Sequence, residues 1–154
     1  MEKISVLFIC LGNICRSPMA EAVFRHLVAE QGLADQFEIA SAGTGGWHVG
    51  EAPHVGTQQI LTKNGIGVGG KRAMRVNLQD FKTYNYLIAM DAQNVTDVAD
   101  RFGVKISRLL DFAPPGSPLD VPDPYYDNNF EEVYRLVLSG CKGLLEHILK
   151  QEKR

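Results

Sequence analysis

Apolar positions bunch into one run near the start of the chain, Ile4-Ser5-Val6-Leu7-Phe8-Ile9, then spread into helical spacing at Ala20, Val23, Phe24, Leu27 and Val28 before Gly32. A short continuous apolar run reads as a buried strand, and recurrence every three or four positions reads as one face of a helix. Pro18, with no N–H to lose, suits an early helical position, and Gly32 suits the helix end. The same signals predict a strand over 37–42, a Gly-rich loop over 43–50, and a helix over 53–63 stopped by Asn64-Gly65. A third strand is expected at 84–90, with Asp91 as N-cap of a helix reaching Phe102, and a short fourth strand at 106–110. The last helix is expected over 128–150, with Phe130, Tyr134, Val137, Cys141, Leu144 and Ile148 on one face.

Strands and helices that alternate in this way predict an α/β fold, in which helices cover both faces of a parallel sheet. The expected architecture is a single three-layer αβα domain, residues 1–154, around a four-stranded, parallel, twisted sheet. Residues 111–129 interrupt the alternation and hold five of the seven prolines, too few amide donors for a sheet interior. A loop of that length inside a small domain usually carries function.

Composition narrows the chemistry. The 154 residues are 45% hydrophobic and 22% charged, with a formal charge of −2, and no block of like charge marks a nucleic-acid or membrane-surface binder. No stretch approaches the roughly 20 apolar residues of a membrane span, so no membrane insertion and a cytoplasmic location are expected. Three cysteines cannot all pair, and reduced thiols are the natural expectation for a domain of this size.

The chemistry concentrates at Cys10-Leu-Gly-Asn-Ile-Cys-Arg-Ser17, between the first strand and first helix. Ligands of open α/β sheets bind at the carboxyl ends of strands, where a loop opening a helix aims its N–H groups at an anion. Here that loop carries a thiol at the strand end, Arg16 as a two-pronged donor, and the Ser17 hydroxyl at the helix start. A phosphate-sized dianion would meet the amides of residues 11–17, bidentate contact from Arg16, and the positive end of the helix dipole. The same field favours thiolate over thiol and makes Cys10 a nucleophile. Gly12 and Asn13 are the residue types that tolerate unusual backbone angles in such a loop.

Other readings of the motif fit less well. A metal site needs a second ligand cluster, but the remaining cysteine is Cys141 and His26, His48, His54 and His147 show no paired ligand spacing; no metal and no cofactor are expected. A thioredoxin-like redox motif has two residues between its cysteines, and this one has four. A second glycine-rich stretch, Gly65 to Lys71, matches dinucleotide and nucleotide patterns in part, but it follows a predicted helix where both require a strand. It reads as a flexible turn plus a short strand.

A thiolate displacing an alkoxide or phenoxide from phosphorus needs a general acid. The proline-rich loop offers Asp111, Asp120, Asp123 and Asp127, of which Asp123 is held between Pro122 and Pro124 and followed by Tyr125 and Tyr126. Those tyrosines, with Trp47 from the Gly-rich loop, are candidates for aromatic walls.

With Cys10 to Pro18 near one end, Asp123-Pro-Tyr-Tyr126 near the other, and Ser41-Ala42-Gly43, Met90-Asp91 and Asn94 between, the chain closely resembles the low-molecular-weight protein tyrosine phosphatases. The resemblance implies hydrolysis of phosphotyrosine in proteins, with Cys10 as nucleophile, Arg16 as clamp on phosphate and transition state, and Asp123 as acid and then base. It implies further that Asn13, Ser17 and Ser41 hold the loop in shape. Cys15 would form a reversible disulfide with Cys10, and Leu11, Ile14, Trp47, Tyr125 and Tyr126 would line the pocket. Tyrosine-phosphorylated proteins would be the partners of a monomer or weak dimer. One departure is Lys71, where relatives commonly carry a histidine in the network supporting the loop. Arsenate reductases of the same architecture use a further cysteine pair mid-chain that is missing here. Protein-arginine phosphatases carry threonine in place of Ile14 and lack the double tyrosine. A phosphotyrosine-binding module would not need both Cys10 and Asp123.

Overall fold

The sheet is built outward from the first apolar run. In the computed structural model, which describes residues 2–154, Ile4–Cys10 forms β1, and every one of its residues is buried. A strand buried on both faces must lie inside a sheet covered on both sides. β1 pairs in parallel with β2 (Phe37–Gly43) on one side, from Ile4 opposite Phe37 to Cys10 opposite Gly43, and with β3 (Tyr86–Ala89) on the other. A two-residue strand, β4 (Ser107–Arg108), completes the order β2-β1-β3-β4, all parallel.

Alternate residues of β1 feed two cores. Ile4, Val6, Phe8 and Cys10 join a cluster with α1 (Arg16–Glu30) and α5 (Phe130–Gln151), whereas Leu7 and Ile9 join Val98 and Ile106, packed against Phe81 and Phe102. The second layer comes from α3 (Leu78–Thr83) and α4 (Ala92–Phe102). A further helix, α2 (Val55–Lys63), sits beside α1 and α5. The expected layering and four parallel strands are therefore present.

The differences in detail have local causes. α2 starts at Val55 instead of Pro53, because the His54 ring caps it by accepting the Gly56 N–H at 2.9 Å. α3 was not expected; its signal is Asn77 with Asp80 three positions on, each side chain bonding the other's backbone N–H in a capping box. Tyr84 ends that helix, so β3 is shorter than the 84–90 run. The predicted fourth strand keeps only its middle: Leu109 and Leu110 turn into a 3-10 helix and bury themselves against α5 at Gly140. The turn at 65–71 holds no strand. Gly69 and Gly70 take positive φ there, and the chain that follows pairs with β2 through an isolated backbone bridge, Arg75 to Gly43. Elsewhere along that outer edge, Arg25 donates to the Ile39 carbonyl at 3.2 Å and Lys71 to the Ser41 carbonyl at 2.6 Å. From Ala113 onward the proline-rich segment runs without helix or strand, pinned at the end of β3 where the Val121 N–H donates to the Met90 carbonyl at 2.9 Å.

The helix that closes the larger core comes closest to its neighbours at a glycine. A Cβ on Gly143 of α5 would lie 1.8 Å from the backbone oxygen of Phe112, an atom that cannot swing aside. Gly143→Ala should therefore destabilise the fold by about 1–3 kcal/mol, read as a lower denaturant midpoint at unchanged slope. A midpoint equal to wild type would refute that packing.

Candidate active site

The loop from Cys10 to Ser17 is held from outside by its carbonyls. Thr44 N–H donates to the Cys10 oxygen and Gly45 N–H to the Leu11 oxygen, both at 2.9 Å; His54 N–H reaches the Ile14 oxygen at 2.7 Å, and the Thr57 hydroxyl the Cys15 oxygen at 3.0 Å. Among the described residues, the N–H groups of Gly12, Ile14 and Cys15 have no acceptor. Buried backbone donors are normally paired, so a loop with tethered carbonyls and free donors is made for an anion.

Asn13 is the pivot of this loop. Its backbone is left-handed, φ 56°, and its side chain is used completely: Oδ1 accepts from Met74 N–H at 2.9 Å, while Nδ2 donates to Ser17 Oγ at 2.8 Å and Ser41 Oγ at 2.9 Å. Asparagine tolerates that conformation better than most residues. Cys10 Sγ lies 2.9 Å from Ser17 Oγ and accepts from Asn13 N–H at 3.3 Å.

Arg16, at the start of α1, is buried with its guanidinium held on two sides. Nη1 donates to Asp91 Oδ2 at 2.5 Å and to the Val121 carbonyl at 2.9 Å, and Nη2 faces Asp123 Oδ2 at 3.6 Å. Burial alone would lower its pKa, but Cys10 and the carboxylates of Asp91 and Asp123 outweigh that and push it up. The four aspartates of the proline-rich loop separate cleanly. Asp111 bonds Arg108, Asp120 takes the Ala92 N–H and Arg108, and Asp127 takes the Asn129 N–H. Asp123 alone among these four lines the cleft, with Oδ1 accepting from Tyr125 N–H at 3.1 Å.

That cleft has a volume of about 230 Å³, its floor formed by the loop and its rim by Trp47, His48, Tyr125 and Tyr126. Trp47 is 69% exposed, and its ring lies over Gly45, where a Cβ would fall 1.8 Å from a ring carbon. Tyr126 is 77% exposed and packs edge-on against Tyr125, with ring centroids 5.5 Å apart.

Residues 5–154 match the family model described as low molecular weight phosphotyrosine protein phosphatase. The chain belongs to that family. It is 51% identical to the low molecular weight protein-tyrosine-phosphatase YfkJ of Bacillus subtilis, over 97% of this chain and 99% of that protein. It is 43% identical to PtpA of Staphylococcus aureus, over 96% of this chain and 95% of that protein. The crystal structure of YfkJ superposes with a TM-score of 0.95, at 49% identity over 100% of this chain and 99% of that one. That of a Drosophila arginine phosphatase gives 0.85, at 32% identity over 93% and 96%.

Within this family's fold, Cys10, Leu11, Gly12, Ile14, Cys15, Arg16, Trp47, Asp123, Tyr125 and Tyr126 all border one cleft, and Asn13, Ser17 and Ser41 form one hydrogen-bonded group behind it. Sequence reasoning missed several members. His48 borders the cleft with its ring against Gly12 and Nδ1 3.0 Å from Glu51. His54 and Thr57 tether loop carbonyls, and Asp91 bonds Arg16 as well as capping α4. Lys71 does reach the supporting network, through the Ser41 carbonyl. Cys141 is fully buried in the core, and burial pushes its thiol well up.

The second cysteine of the loop is set apart by its surroundings. Burial first, then the nearby Asp123 and Cys10, push the Cys15 thiol up to about 12 against a smaller opposing effect of Arg16. A raised thiol pKa keeps the neutral form, so Cys15 stays protonated through the neutral range and becomes a thiolate only in strong alkali. Iodoacetamide near neutral pH should therefore spare Cys15, as mapped by peptide mass spectrometry. Ready labelling of Cys15 would contradict this environment.

Proposed function

We propose that the protein hydrolyses phosphotyrosine in proteins, and small aryl phosphates, through a cysteinyl-phosphate intermediate. The observation that carries this reading is the convergence of Cys10, Arg16 and Asp123 on one cleft with an aromatic rim. The loop donors and Arg16 hold the non-bridging oxygens, whose charge must be met throughout transfer. Cys10 attacks phosphorus in line as the bond to the phenolic oxygen breaks, and Asp123 delivers a proton to that oxygen. Tyrosine's phenol has a pKa near 10, so without the proton it leaves reluctantly. Once the phenol departs, the Asp123 carboxylate takes a proton from water attacking the phosphocysteine, and inorganic phosphate and the thiolate are released. Trp47, Tyr125 and Tyr126 offer faces for the substrate ring, a contact that phosphoserine cannot make.

The reading requires tyrosine-phosphorylated proteins as partners, a single catalytic domain over residues 1–154 acting as a monomer or weak dimer, and a cytoplasmic setting that keeps the thiols reduced. Among the described residues, no helix is long and apolar enough to cross a membrane. Cys15, on the same loop and cleft as the nucleophile and free as a thiol, is proposed to displace water from a sulfenic acid at Cys10 and close a reversible disulfide.

Cys10→Ser should abolish turnover of an aryl phosphate while phosphate still binds; activity like wild type would sink the mechanism. Asp123→Ala should slow turnover by about 100-fold or more for leaving groups that need a proton, and far less for activated ones. The same signature in Asp120→Ala would assign the acid elsewhere. Phosphotyrosine, phosphoserine and phosphoarginine peptides compared side by side, with arsenate reduction as a fourth arm, test the substrate class. Preference for phosphoarginine would replace this reading with that of an arginine phosphatase. Mild peroxide should produce a Cys10–Cys15 crosslink that thiol reductants reverse, and mass spectra without it would remove the redox role.

A further inference from the structure

The wall of the cleft that carries Trp47 continues outward onto a face that the chemistry above does not use. Beyond Gly43 the chain runs through Thr44, Gly45 and Gly46 to Trp47, and two arginines from distant parts of the sequence lie against this short stretch. Arg75 lays its stem beside Gly46: a Cβ there would stand 3.4 Å from its Cδ and 3.8 Å from its Nη1. From α4, Arg101 Nη1 donates to the Thr44 carbonyl. The backbone that carries Arg75 is itself fixed, since Gly43 N–H donates to the Met74 carbonyl at 2.7 Å and Val76 N–H to the Gly43 carbonyl at 2.8 Å. Val49 and Met74, 58% and 48% exposed, add apolar surface beside the two cations.

The charge on this face is unanswered. Arg16, Arg25, Arg108 and Arg135 each have a carboxylate within ion-pair distance, but among the described residues Arg75 and Arg101 have none. Both are exposed, in a chain whose net charge is −2. Glu51, on the loop that follows Trp47, is taken by His48, and Asp97 of α4 by Gln93. An exposed ion pair is ordinarily weak because two long side chains must be immobilised to form it. Here one guanidinium is fastened to a carbonyl and the other is packed along a glycine, so part of that cost is met before any partner arrives. Gly46, exposed and without a side chain, leaves room for a chain to lie between them.

We propose that Arg75 and Arg101, beside Gly46, form a docking face for the substrate chain next to the phosphotyrosine, and that this face selects acidic residues there. The proposal rests on the reading of the cleft as a phosphotyrosine site. Gly46 directly precedes Trp47, a wall of that cleft. An extended chain advances about 3.3 Å per residue, so carboxylates within a few positions of the anchored tyrosine reach the arginines. The stretch of rim formed by Tyr125 and Tyr126 leads instead to exposed Asp127, which repels the same carboxylates. The two sides of the cleft thus differ in sign, and charge gives the bound chain a preferred course.

The test measures kcat/KM for two phosphotyrosine peptides that differ only in having glutamate or glutamine at the three positions on each side of the tyrosine. Wild type should favour the glutamate peptide by about tenfold, roughly threefold for each exposed pair. Arg75→Ala and Arg101→Gln should each cut that ratio by about threefold, Arg75→Lys should keep most of it, and Arg75→Glu should erase or reverse it. Salt at about 1 M, where screening acts within about 3 Å, should also flatten it. A small aryl phosphate, with no flanking chain, reports whether the cleft of each variant has kept its shape. Equal values for the two peptides on an active wild type would overturn the proposal and leave the phosphatase reading standing. So would an Arg75→Glu variant with the wild-type ratio, or a preference for the glutamine peptide, which would assign the face to apolar contact through Val49 and Met74. A wild type inert toward both peptides and the aryl phosphate would defeat the functional reading, and this one with it.

Discussion

The site depends on one asparagine held in a left-handed backbone conformation. Asn13 at φ 56° reverses the chain between the end of β1 and the start of α1. Its side chain ties Met74, Ser17 and Ser41 together across more than sixty positions of sequence. A non-glycine residue persists in that region only where its surroundings over-determine it. Three side-chain hydrogen bonds supply that constraint, and they determine where the loop donors and the Cys10 sulfur sit. The tethers from Thr44, Gly45, His54 and Thr57 pull the carbonyls outward.

Arg16 binds the two halves of the site to each other. Its guanidinium joins Asp91 at the end of β3 to Val121 in the proline-rich loop, and Val121 in turn bonds Met90. The carboxylate of Asp123 is thereby placed two residues beyond a fixed point. Prolines on either side restrict the backbone that carries it. The carboxylate is held in place by the guanidinium it faces, and loss of Asp91 would disturb both.

Much of this was readable in one dimension because it is encoded locally. β1 is a continuous apolar run, α1 and α5 show helical spacing, and the Cys10 to Ser17 motif lies entirely within eight consecutive residues. Where the reading failed, the deciding contact was distant. Leu109 and Leu110 look like strand residues, yet Gly140 of α5 opens the space that draws them into a 3-10 turn. His48 seemed an isolated histidine, and nothing beside it in sequence announces the small Gly12 surface against which it rests. The Glu21 and Lys71 ion pair spans fifty positions and has no local signature. By contrast, α3 has a local signature in Asn77 and Asp80 but lacks the apolar periodicity that marks the other helices.

The outer edge of β2 carries a consequence of another kind. An unpaired strand edge invites a strand from a neighbouring molecule. Here the Ile39 carbonyl is taken by Arg25, the Ser41 carbonyl by Lys71, and Gly43 by the bridge to Arg75. Acceptors that another chain would need are already occupied by positive side chains, which would also repel a second copy of the same edge. Lys71, which reaches the hydrogen-bonded group behind the cleft, thereby also covers the sheet edge, and its loss would uncover an acceptor that a neighbouring strand could use.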